Sequence, residues 1–298
     1  MNLVTPVIMS APSCQITPDT PVMLLGSCFA DEMGGRLEAA GFDVLGNPFG
    51  TLYNPLSVAT CLHRIIDNHP MEESDLVCYD SVWHSWLHHS RFSHSDKTVC
   101  LERCNNSIRQ SHDFMEKRPL LVITFGTAWV YTLAEGSEYA ADVSHRVVAN
   151  CHKIPQCHFN RHRLSVQDIV DVWHPLLELL NERVPGTVLT VSPIRHMADG
   201  AHGNQLSKAT LLLAVDSLVK AVPQTGYFDS YELLMDELRD YRFYARDMCH
   251  PSDVAVDMVW ERFQQTYLSE SGRDIVRQRE KAFRHTQHRP IITNPLIC

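Results

Sequence analysis

The stretch Leu24-Leu25-Gly26-Ser27-Cys28-Phe29-Ala30-Asp31-Glu32 decides the fold of this chain. An apolar run that begins at Val22 ends on the Gly-Ser pair, and a helical pattern follows at once. Four apolar residues fall on one face of that predicted helix: Phe29, Met33, Leu37 and Ala40. Ser27 is therefore expected at the carboxyl end of a strand and at the amino end of a helix.

Two roles remain open for Ser27 on position alone. Serine is a common N-cap residue, so the hydroxyl can simply close the first turn of a helix. The same position also suits a nucleophile, because the N-terminal N–H groups and the helix dipole favour negative charge there. A backbone N–H at this point would supply half of an oxyanion hole.

Apolar segments of strand length alternate with amphipathic helical segments along the chain. The predicted strands are Val22–Leu25, Phe42–Leu45, Leu120–Phe125, Thr187–Val191 and Gly226–Phe228. The predicted helices cover 29–40 and 55–68, follow a capping box at 165–168, include 211–222, and start after Ser252. Continuous apolar strands separated by such helices predict an α/β fold, in which a parallel sheet is covered on both faces.

A single domain over residues 1–298 is the expected organisation, with two parts outside the simple repeat. Residues 74–118 carry histidines and aromatic residues with weak periodicity, which predicts an insertion over the upper edge of the sheet. Residues 273–298 are predicted to be a C-terminal tail packed on the body of the domain.

The composition excludes several classes of protein. The 298 residues carry a net charge of -9, with 44% hydrophobic and 20% charged residues, which is typical of a globular chain. No lysine or arginine block indicates a nucleic-acid binder, and no apolar run is long enough to span a membrane. The N-terminus lacks the pattern of a secretory signal, and the ten scattered cysteines favour reduced thiols. These features together predict a cytoplasmic protein.

No metal or other cofactor is expected. Four histidines cluster at His84, His88, His89 and His94, but no Cys-x-x-Cys pair or His-Glu-x-x-His helix accompanies them. Gly26 is not followed by the glycine spacing of a nucleotide-binding turn, so a nucleotide cofactor is not predicted either.

Ligands of parallel α/β sheets bind beyond the carboxyl ends of the strands. The segments at those ends are Gly26-Ser27, Asn47–Gly50, Gly126–Ala128 and Ser192–His196. Each is rich in turn-forming and polar residues, as expected for the rim of an active site.

A second informative segment contains Asp247 and His250, which are separated by two residues in a loop before a helix. At this spacing the carboxylate can reach the imidazole Nδ1, which fixes one tautomer and leaves Nε2 free to accept a hydroxyl proton. Pro251 disfavours a helical conformation at His250 and so predicts an extended turn. The other interpretation is an incidental loop contact.

Gly26-Ser27 near one end of the chain and Asp247-x-x-His250 near the other resemble the pattern of the SGNH (GDSL-like) hydrolases. Gly26-Ser27-Cys28-Phe29-Ala30 spells the signature of the GSCFA family, a bacterial group similar to them. Further stretches fit the same family: 47–55, 124–129, 150–153 and 192–196. The resemblance covers roughly residues 21–267.

This resemblance implies a flavodoxin-like three-layer α/β/α sandwich and a serine esterase mechanism. By that analogy Ser27 is the nucleophile, His250 is the general base and Asp247 orients it. The backbone N–H groups of Ser27 and Gly50 would hold the oxyanion.

One departure from the SGNH pattern concerns the third strand. The wider group has Gly-x-Asn-Asp there, and its asparagine completes the oxyanion hole, whereas this chain has Gly126-Thr127-Ala128-Trp129. Asn54, Asn150 or the hydroxyl of Thr127 could take its place. We favour Asn150, because His152 and Lys153 follow it.

The neighbours of these residues allow alternatives. Cys28 is expected to pack rather than react, because free cysteines are usually buried. Arg195 and His196 could grip an anionic group of a substrate. Alternatively they form a loop ion pair with Asp199 or Asp240.

The sequence therefore predicts a hydrolase acting on a carboxylic ester, such as the acyl or acetyl ester of a small molecule or glycan. Two other functions stay open: a non-catalytic glycan- or lipid-binding module, and an acyltransferase that uses the same triad.

Overall fold

The computed structural model describes residues 5–12, 14–139 and 147–287. The strands in chain order are β1 (Val22–Gly26), β2 (Val44–Gly46), β3 (Leu76–Tyr79), β4 (Val82–Ser85), β5 (Leu120–Phe125), β6 (Trp129–Leu133), β7 (Val147–Val148), β8 (Phe159–Arg163), β9 (Thr187–Val191) and β10 (Thr225–Phe228). The helices are α1 (Cys28–Ala40), α2 (Pro55–Ile66), α3 (Lys97–Met115), α4 (Val166–Asn181), α5 (Gly200–Ala221), α6 (Ser230–Glu232), α7 (Asp253–Tyr267) and α8 (Glu270–Gln287). A π-helical turn over Leu233–Glu237 continues α6.

A five-stranded sheet in the order β10-β9-β5-β1-β2 forms the centre of the fold, and all its strand pairs are parallel. Counted along the chain, these strands follow the order 2-1-3-4-5, which is the flavodoxin-like order. The order reverses between β1 and β5, and ligands of such sheets bind in the crevice at this point. All five strands were predicted, with differences only at their ends.

Helices cover both faces of this sheet, because alternate residues of the strands point to opposite sides. Met23 and Leu25 of β1 belong to the apolar cluster formed with α2, α3, α4 and α5. Val22 and Leu24 belong to the cluster formed with α1, α7 and α8. The predicted three-layer α/β/α sandwich is therefore confirmed.

Local signals explain the ends of α1. The Ser27 side chain accepts a hydrogen bond from the Phe29 N–H at its start, and Gly41 ends it with a left-handed φ of 95°. Ser165 and Asp168 form the predicted reciprocal capping box at the start of α4. Ser252 caps α7, also as predicted.

Residues 74–118 differ from the predicted insertion. They begin with an antiparallel hairpin of β3 and β4, but their second half is the 19-residue helix α3, which packs on α2 within the main layer. The buried stripe of α3 consists largely of small polar and sulfur-containing residues: Cys100, Cys104, Ser107, Ile108, Ser111, Phe114 and Met115. An apolar periodicity is weak in such a stripe, which is why the helix was missed.

A second small sheet was also missed. Strands β7, β6 and β8 form an antiparallel sheet between β5 and α4. Its side chains stand over the carboxyl edge of the central sheet, where they form one wall of a cavity. This part of the chain therefore adds the site's wall to a common fold.

The segment before β1 meets the junction of α7 and α8 on the face covered by α1, α7 and α8. Ile16 is fully buried; its N–H donates to Tyr267 O at 2.7 Å, and its carbonyl accepts from the Ser269 N–H at 2.9 Å. Val7 is held in the same way, since its N–H donates to the Glu237 carboxylate at 2.8 Å. We call residues 5–12 and 14–16 the N-terminal strap.

The predicted C-terminal tail falls partly outside the described residues. Its first part belongs to α8, whose Val276 is buried in the cluster with α1 and α7. Residues 288–298 lie outside the part of the chain that the structure describes. Across the described residues, no helix combines the length and the apolarity needed to cross a membrane.

Candidate active site

A cavity of about 370 Å³ lies at the carboxyl ends of the central strands. It is bordered by the loops after β1, β5 and β9, by the small sheet of β6 to β8, and by the loop before α7. Six of the predicted site residues line it: Ser27, Asn54, Thr127, Arg195, His196 and His250. Gly50 and Asn150 are not among its lining residues, and Asp247 contacts it through His250.

Gly26 sets the turn that brings Ser27 to this cavity. Its φ is +128°, and a Cβ added to it would lie 2.0 Å from the carbonyl oxygen of Thr124 on β5. Asn47 fixes the turn from the other side, because its Oδ1 accepts the Gly26 N–H at 2.8 Å. The Asn47 amide also donates to the Asp31 carboxylate at 2.8 Å and so ties the turn to α1. Only glycine fits this close approach of β1 and β5.

Ser27 is nearly fully buried, with 1% of its surface exposed, yet it borders the cavity. Its Oγ accepts the Phe29 N–H at 3.3 Å, so it acts as the N-cap of α1. Its own N–H donates to Thr124 O at 3.3 Å. A single hydroxyl therefore caps a helix and faces the cavity.

Asp247 and His250 meet as their spacing predicts. One carboxylate oxygen of Asp247 lies 2.5 Å from His250 Nδ1, and the other accepts the N–H groups of Cys249 at 2.9 Å and His250 at 3.0 Å. These three contacts lower the pKa of Asp247 to about 2, with the backbone N–H groups as the largest cause. The carboxylate is thus ionised at neutral pH and fixes the orientation of the imidazole.

Ser27 and His250 approach from opposite ends of the chain but form no hydrogen bond with each other. Across the residues that the structure describes, the only hydrogen bond of Ser27 Oγ is the one from Phe29. The His250 side chain is 52% exposed, which leaves its ring room to move toward the cavity. Catalytic hydrogen bonds are often long in a free enzyme and tighten when substrate binds.

The oxyanion donors differ from the prediction. The Gly50 N–H closes a turn by donating to Asn47 O at 2.7 Å, so it is not available to a substrate. The Ser27 N–H is engaged with Thr124 O on β5. Asn150, the preferred substitute, does not line the cavity: its Nδ2 is buried without a partner among the described residues, and its neighbour Ala149 borders the cavity.

Asn54 is the amide that does reach the cavity. It is buried at the start of α2, where Oδ1 accepts the Ser57 N–H at 2.8 Å and Nδ2 donates to Ser57 Oγ at 2.9 Å. An amide nitrogen carries two hydrogens, so one of them is left for a ligand. Cys28, in the first turn of α1, borders the same space, and its N–H donates to no other residue of the described chain.

Thr127 is partly occupied. Its hydroxyl lies 3.1 Å from Ser207 Oγ and accepts the Trp129 N–H at 3.1 Å, while its N–H donates to Tyr53 O at 2.9 Å. Of the two predicted substitutes that line the cavity, Asn54 thus has the freer donor.

The predicted ion pair of Arg195 with Asp199 or Asp240 does not form. Asp199 binds Arg161, with one N–O distance of 2.8 Å, and Asp240 binds Arg242 at 3.0 Å. Burial, followed by the charge of Lys208, lowers the pKa of His196 to about 4, so this ring is neutral at pH 7. Arg195 therefore brings a positive charge without a carboxylate partner in the described chain to this side of the cavity.

The family assignment follows from comparison of the whole chain. A model of the GSCFA family matches residues 21–263. The chain belongs to the GSCFA family. The matched region runs from the residue before β1 into α7 and includes Ser27, Asp247 and His250. A comparison with curated proteins finds no match.

Lys208 is a feature of this GSCFA chain that the sequence reasoning missed. It lies on α5 with 1% of its surface exposed, and its Nζ donates to Gly126 O and Ser192 O, both at 2.7 Å. Burial lowers its pKa to about 7. The amine joins the loops after β5 and β9 beneath the cavity. A signal was present, because Lys208 falls in the buried stripe of Leu211 and Val215.

Arg161 was also missed, because its partner Asp199 lies 38 positions away in the sequence. Its guanidinium lies 4.2 Å from the centre of the Trp129 ring, so one arginine joins the aromatic wall to the loop before α5. This pair fixes the side of the cavity that belongs to the small sheet.

Cys28 borders the cavity rather than packing wholly within the core. Burial raises the pKa of its thiol, and the neighbouring Asp31 adds to the effect. A thiol with a raised pKa is protonated at neutral pH and is a poor nucleophile. Ser27 thus remains the candidate.

The clustered histidines form internal contacts. His84 Nδ1 lies 2.7 Å from Ser93 Oγ, and the fully buried His88 lies 2.9 Å from Ser85 Oγ while stacking on Phe49. Within the described ranges, no group of three or more His, Cys, Asp or Glu side chains is placed to hold a metal ion.

Proposed function

We propose that this protein is a serine hydrolase of carboxylic esters, related in mechanism to the SGNH hydrolases. Ser27 is the nucleophile, His250 the general base and Asp247 the group that orients it. One observation carries the proposal: Ser27 and His250 border the same cavity, and Asp247 holds the imidazole by its Nδ1 at 2.5 Å. In that tautomer Nε2 is free to accept a proton.

The reaction begins when Ser27 Oγ attacks the ester carbonyl and His250 Nε2 takes its proton. The carbonyl oxygen becomes an oxyanion, which the Cys28 N–H and the second Asn54 Nδ2 hydrogen stabilise. Each such donor is typically worth about 3 kcal/mol of barrier. His250 returns the proton to the leaving alcohol, and water then releases the acid from the acyl-enzyme by the reverse of the same steps.

The cavity favours a compact substrate. Its volume of about 370 Å³ fits a small ester such as an acetyl ester. Trp129, Tyr131 and Tyr53 give it aromatic walls, on which the ring of a sugar or aromatic alcohol can pack. An acyl ester of a small molecule or a glycan is therefore the proposed substrate class.

A fluorophosphonate probe tests the nucleophile. It forms a covalent bond with an activated serine, so mass spectrometry of a digest should find the adduct on Ser27. Ser27→Ala should abolish the labelling, His250→Gln should slow it by at least about 100-fold, and Cys28→Ser should retain it. An unlabelled wild-type protein, or labelling that persists in Ser27→Ala, would contradict the proposal.

A non-catalytic binding module is the second candidate. Two findings favour it: the Ser27 N–H is engaged with Thr124, and no hydrogen bond joins Ser27 to His250 in the described chain. This candidate predicts that glycan binding, measured by calorimetry, is the same in wild type and Ser27→Ala, and that no ester is turned over.

The cysteines are the basis of our proposal for the cellular compartment of the protein. No disulfide joins the cysteines within the described residues, which fits a reducing, cytoplasmic environment.

Product analysis with an added sugar alcohol would separate hydrolysis from acyl transfer by the same triad.

A further inference from the structure

A second cavity, of about 270 Å³, adjoins the first. Its lining residues are Arg195, Met235, Arg239, Asp240, Tyr241, Tyr244 and Met248. Arg195 belongs to both cavities and is thus the shared wall between them. The second cavity is open at the surface, where Tyr241 and Met248 are exposed.

Within the described chain, Arg195 has no carboxylate partner, unlike three other partly buried arginines. Arg64 binds Asp75, Arg161 binds Asp199 and Arg262 binds Glu237. Among the residues described, Arg195 has only a weak sulfur acceptor, Met235 Sδ, at 3.3 Å from Nη2, and its Nε is buried without a partner. A guanidinium held in this way retains unused donors for a planar anion.

Arg239 adds a second positive charge to the same cavity. Its Nη2 donates to the Thr5 hydroxyl at 3.3 Å, and no carboxylate of the described chain forms an ion pair with it. Asp240 also lines the cavity, but Arg242 neutralises it at 3.0 Å. The cavity is therefore a local positive site on a chain with a net charge of -9.

The second cavity lies on the His250 side of the catalytic one. Its lining residues 239–248 lead directly into the loop that holds His250. The Arg195 N–H donates to Cys249 O at 3.2 Å, and the Ala245 N–H donates to His250 O at 2.8 Å. Because His250 returns a proton to the leaving oxygen, the alcohol part of a substrate must lie on this side.

We propose that the second cavity is a subsite for a negatively charged group, a phosphate or a carboxylate, carried by the alcohol part of the ester substrate. Arg195 binds this anion at the junction of the two cavities, and Arg239 binds it from the outer wall. The inference rests on the proposed hydrolase function for its kinetic test and on the two arginines alone for its binding test.

The kinetic test compares three acetyl esters that differ only at the far end of the alcohol: 4-acetoxybenzoate, 4-acetoxyphenyl phosphate and the neutral 4-acetoxybenzamide. Wild type should prefer at least one anionic ester over the amide by about tenfold or more in kcat/KM, as expected for a charge-assisted contact. Arg195→Gln and Arg239→Gln should bring that ratio close to one. Arg183→Gln, an exposed arginine that lines neither cavity, should keep the wild-type ratio.

The binding test uses phenyl phosphate, 4-hydroxybenzoate and 4-hydroxybenzamide with the same proteins in a calorimeter. The stronger of the two anions identifies the group that the subsite prefers. Binding of an anion that weakens about tenfold in Arg195→Gln and Arg239→Gln, but not in Arg183→Gln, supports the subsite.

The two tests separate the two proposals. Hydrolysis of all three esters at ratios that the arginine variants do not change would overturn the subsite and leave the hydrolase function intact. Binding that depends on both arginines, with no ester hydrolysed, would overturn the hydrolase function and keep the subsite. Equal binding of the amide and the anions overturns the subsite in either case.

Discussion

Asn54 is the residue on which the revised oxyanion hole depends. Its Oδ1 and one Nδ2 hydrogen hold the start of α2, the other hydrogen has no partner in the described chain, and the residue lines the cavity. A replacement must therefore keep the cap while it removes the donor. Serine does both: its hydroxyl caps helices almost as well as asparagine, and its shorter side chain has no group at the position of the amide nitrogen.

We predict that Asn54→Ser lowers kcat for an acetyl ester by about 100-fold, as loss of one oxyanion donor typically does. Its melting temperature should stay close to that of wild type. Asn150→Ser is the matched control and should change kcat less than about twofold, because Asn150 does not border the cavity. Equal losses in the two variants would restore Asn150 as the donor.

Gly26 is a second residue for which the structure predicts the effect of a substitution, here on stability. Gly26→Ala places a Cβ on the Thr124 carbonyl at a φ of +128°, so we expect the free energy of unfolding to fall by about 3 kcal/mol or more. Gly46→Ala, at the end of β2, meets no atom within 4 Å and should cost less than about 1 kcal/mol. Urea denaturation followed by circular dichroism measures both. Similar losses would contradict the close approach of β1 and β5.

Sequence reasoning located those candidate residues at the cavity that carry a local signal. Ser27 follows an apolar strand, and Asp247 and His250 are close in the chain, so both could be placed at the sheet edge. Gly50 was assigned a free N–H because a short turn bond to Asn47 leaves no mark in the sequence. Arg161 depends on a contact between distant residues, which one sequence cannot show.

Helix α3 shows how an element can escape its usual signal. Four of its seven buried residues are Cys or Ser, so its buried face does not stand out by hydropathy. Polar contacts compensate for this composition, because the buried Ser107 hydroxyl donates to Pro48 O at 2.5 Å. That bond ties α3 to the loop that follows β2. By contrast, Leu120–Phe125 and Thr187–Val191 are continuous apolar runs, and both were predicted to the residue.

We predict that Ser107→Ala lowers the free energy of unfolding by about 1–3 kcal/mol, because it leaves the buried Pro48 carbonyl without a donor. Ser111→Ala is the control on the same face of the helix. Its hydroxyl donates only to Ser107 O at 2.7 Å, a carbonyl within the same helix, so the loss should stay under about 1 kcal/mol. Chemical denaturation of the two variants measures both free energies of unfolding. A smaller loss in Ser107→Ala than in Ser111→Ala would contradict a stabilising role for the Ser107–Pro48 hydrogen bond.

The stability of the whole molecule should depend on pH through its buried histidines. Burial lowers the pKa of His88 to about 3, and the pKa values of His152 and His196 to about 4, from 6.5. Between pH 6.5 and about 4 the unfolded chain therefore binds more protons than the folded one. The free energy of unfolding must then fall as the pH falls through this window.

We predict that the loss approaches about 1.4 kcal/mol per pH unit for each of these histidines in the middle of the window. His88→Phe keeps a ring stacked on Phe49 and should reduce the slope of stability against pH, whatever its effect on stability at pH 7. His69→Phe replaces a histidine that is exposed in the folded protein and should keep the wild-type slope. Urea denaturation at intervals from pH 7 to pH 4.5 gives the slopes, and identical slopes for wild type and His88→Phe would contradict the assignment.

The N-terminal strap affects the choice of chain boundaries for expression of this protein. The family match spans residues 21–263, yet Ile16, Tyr267, Leu268 and Val276 all lie in the apolar layer over α1 and α7. A protein trimmed to residues 21–263 would lack these four side chains, and apolar surface of α1 and α7 would be exposed to water. We therefore expect the shortened protein to aggregate under conditions in which a protein of residues 5–287 stays in solution. The region that the family model matches is thus shorter than the region that forms this apolar layer.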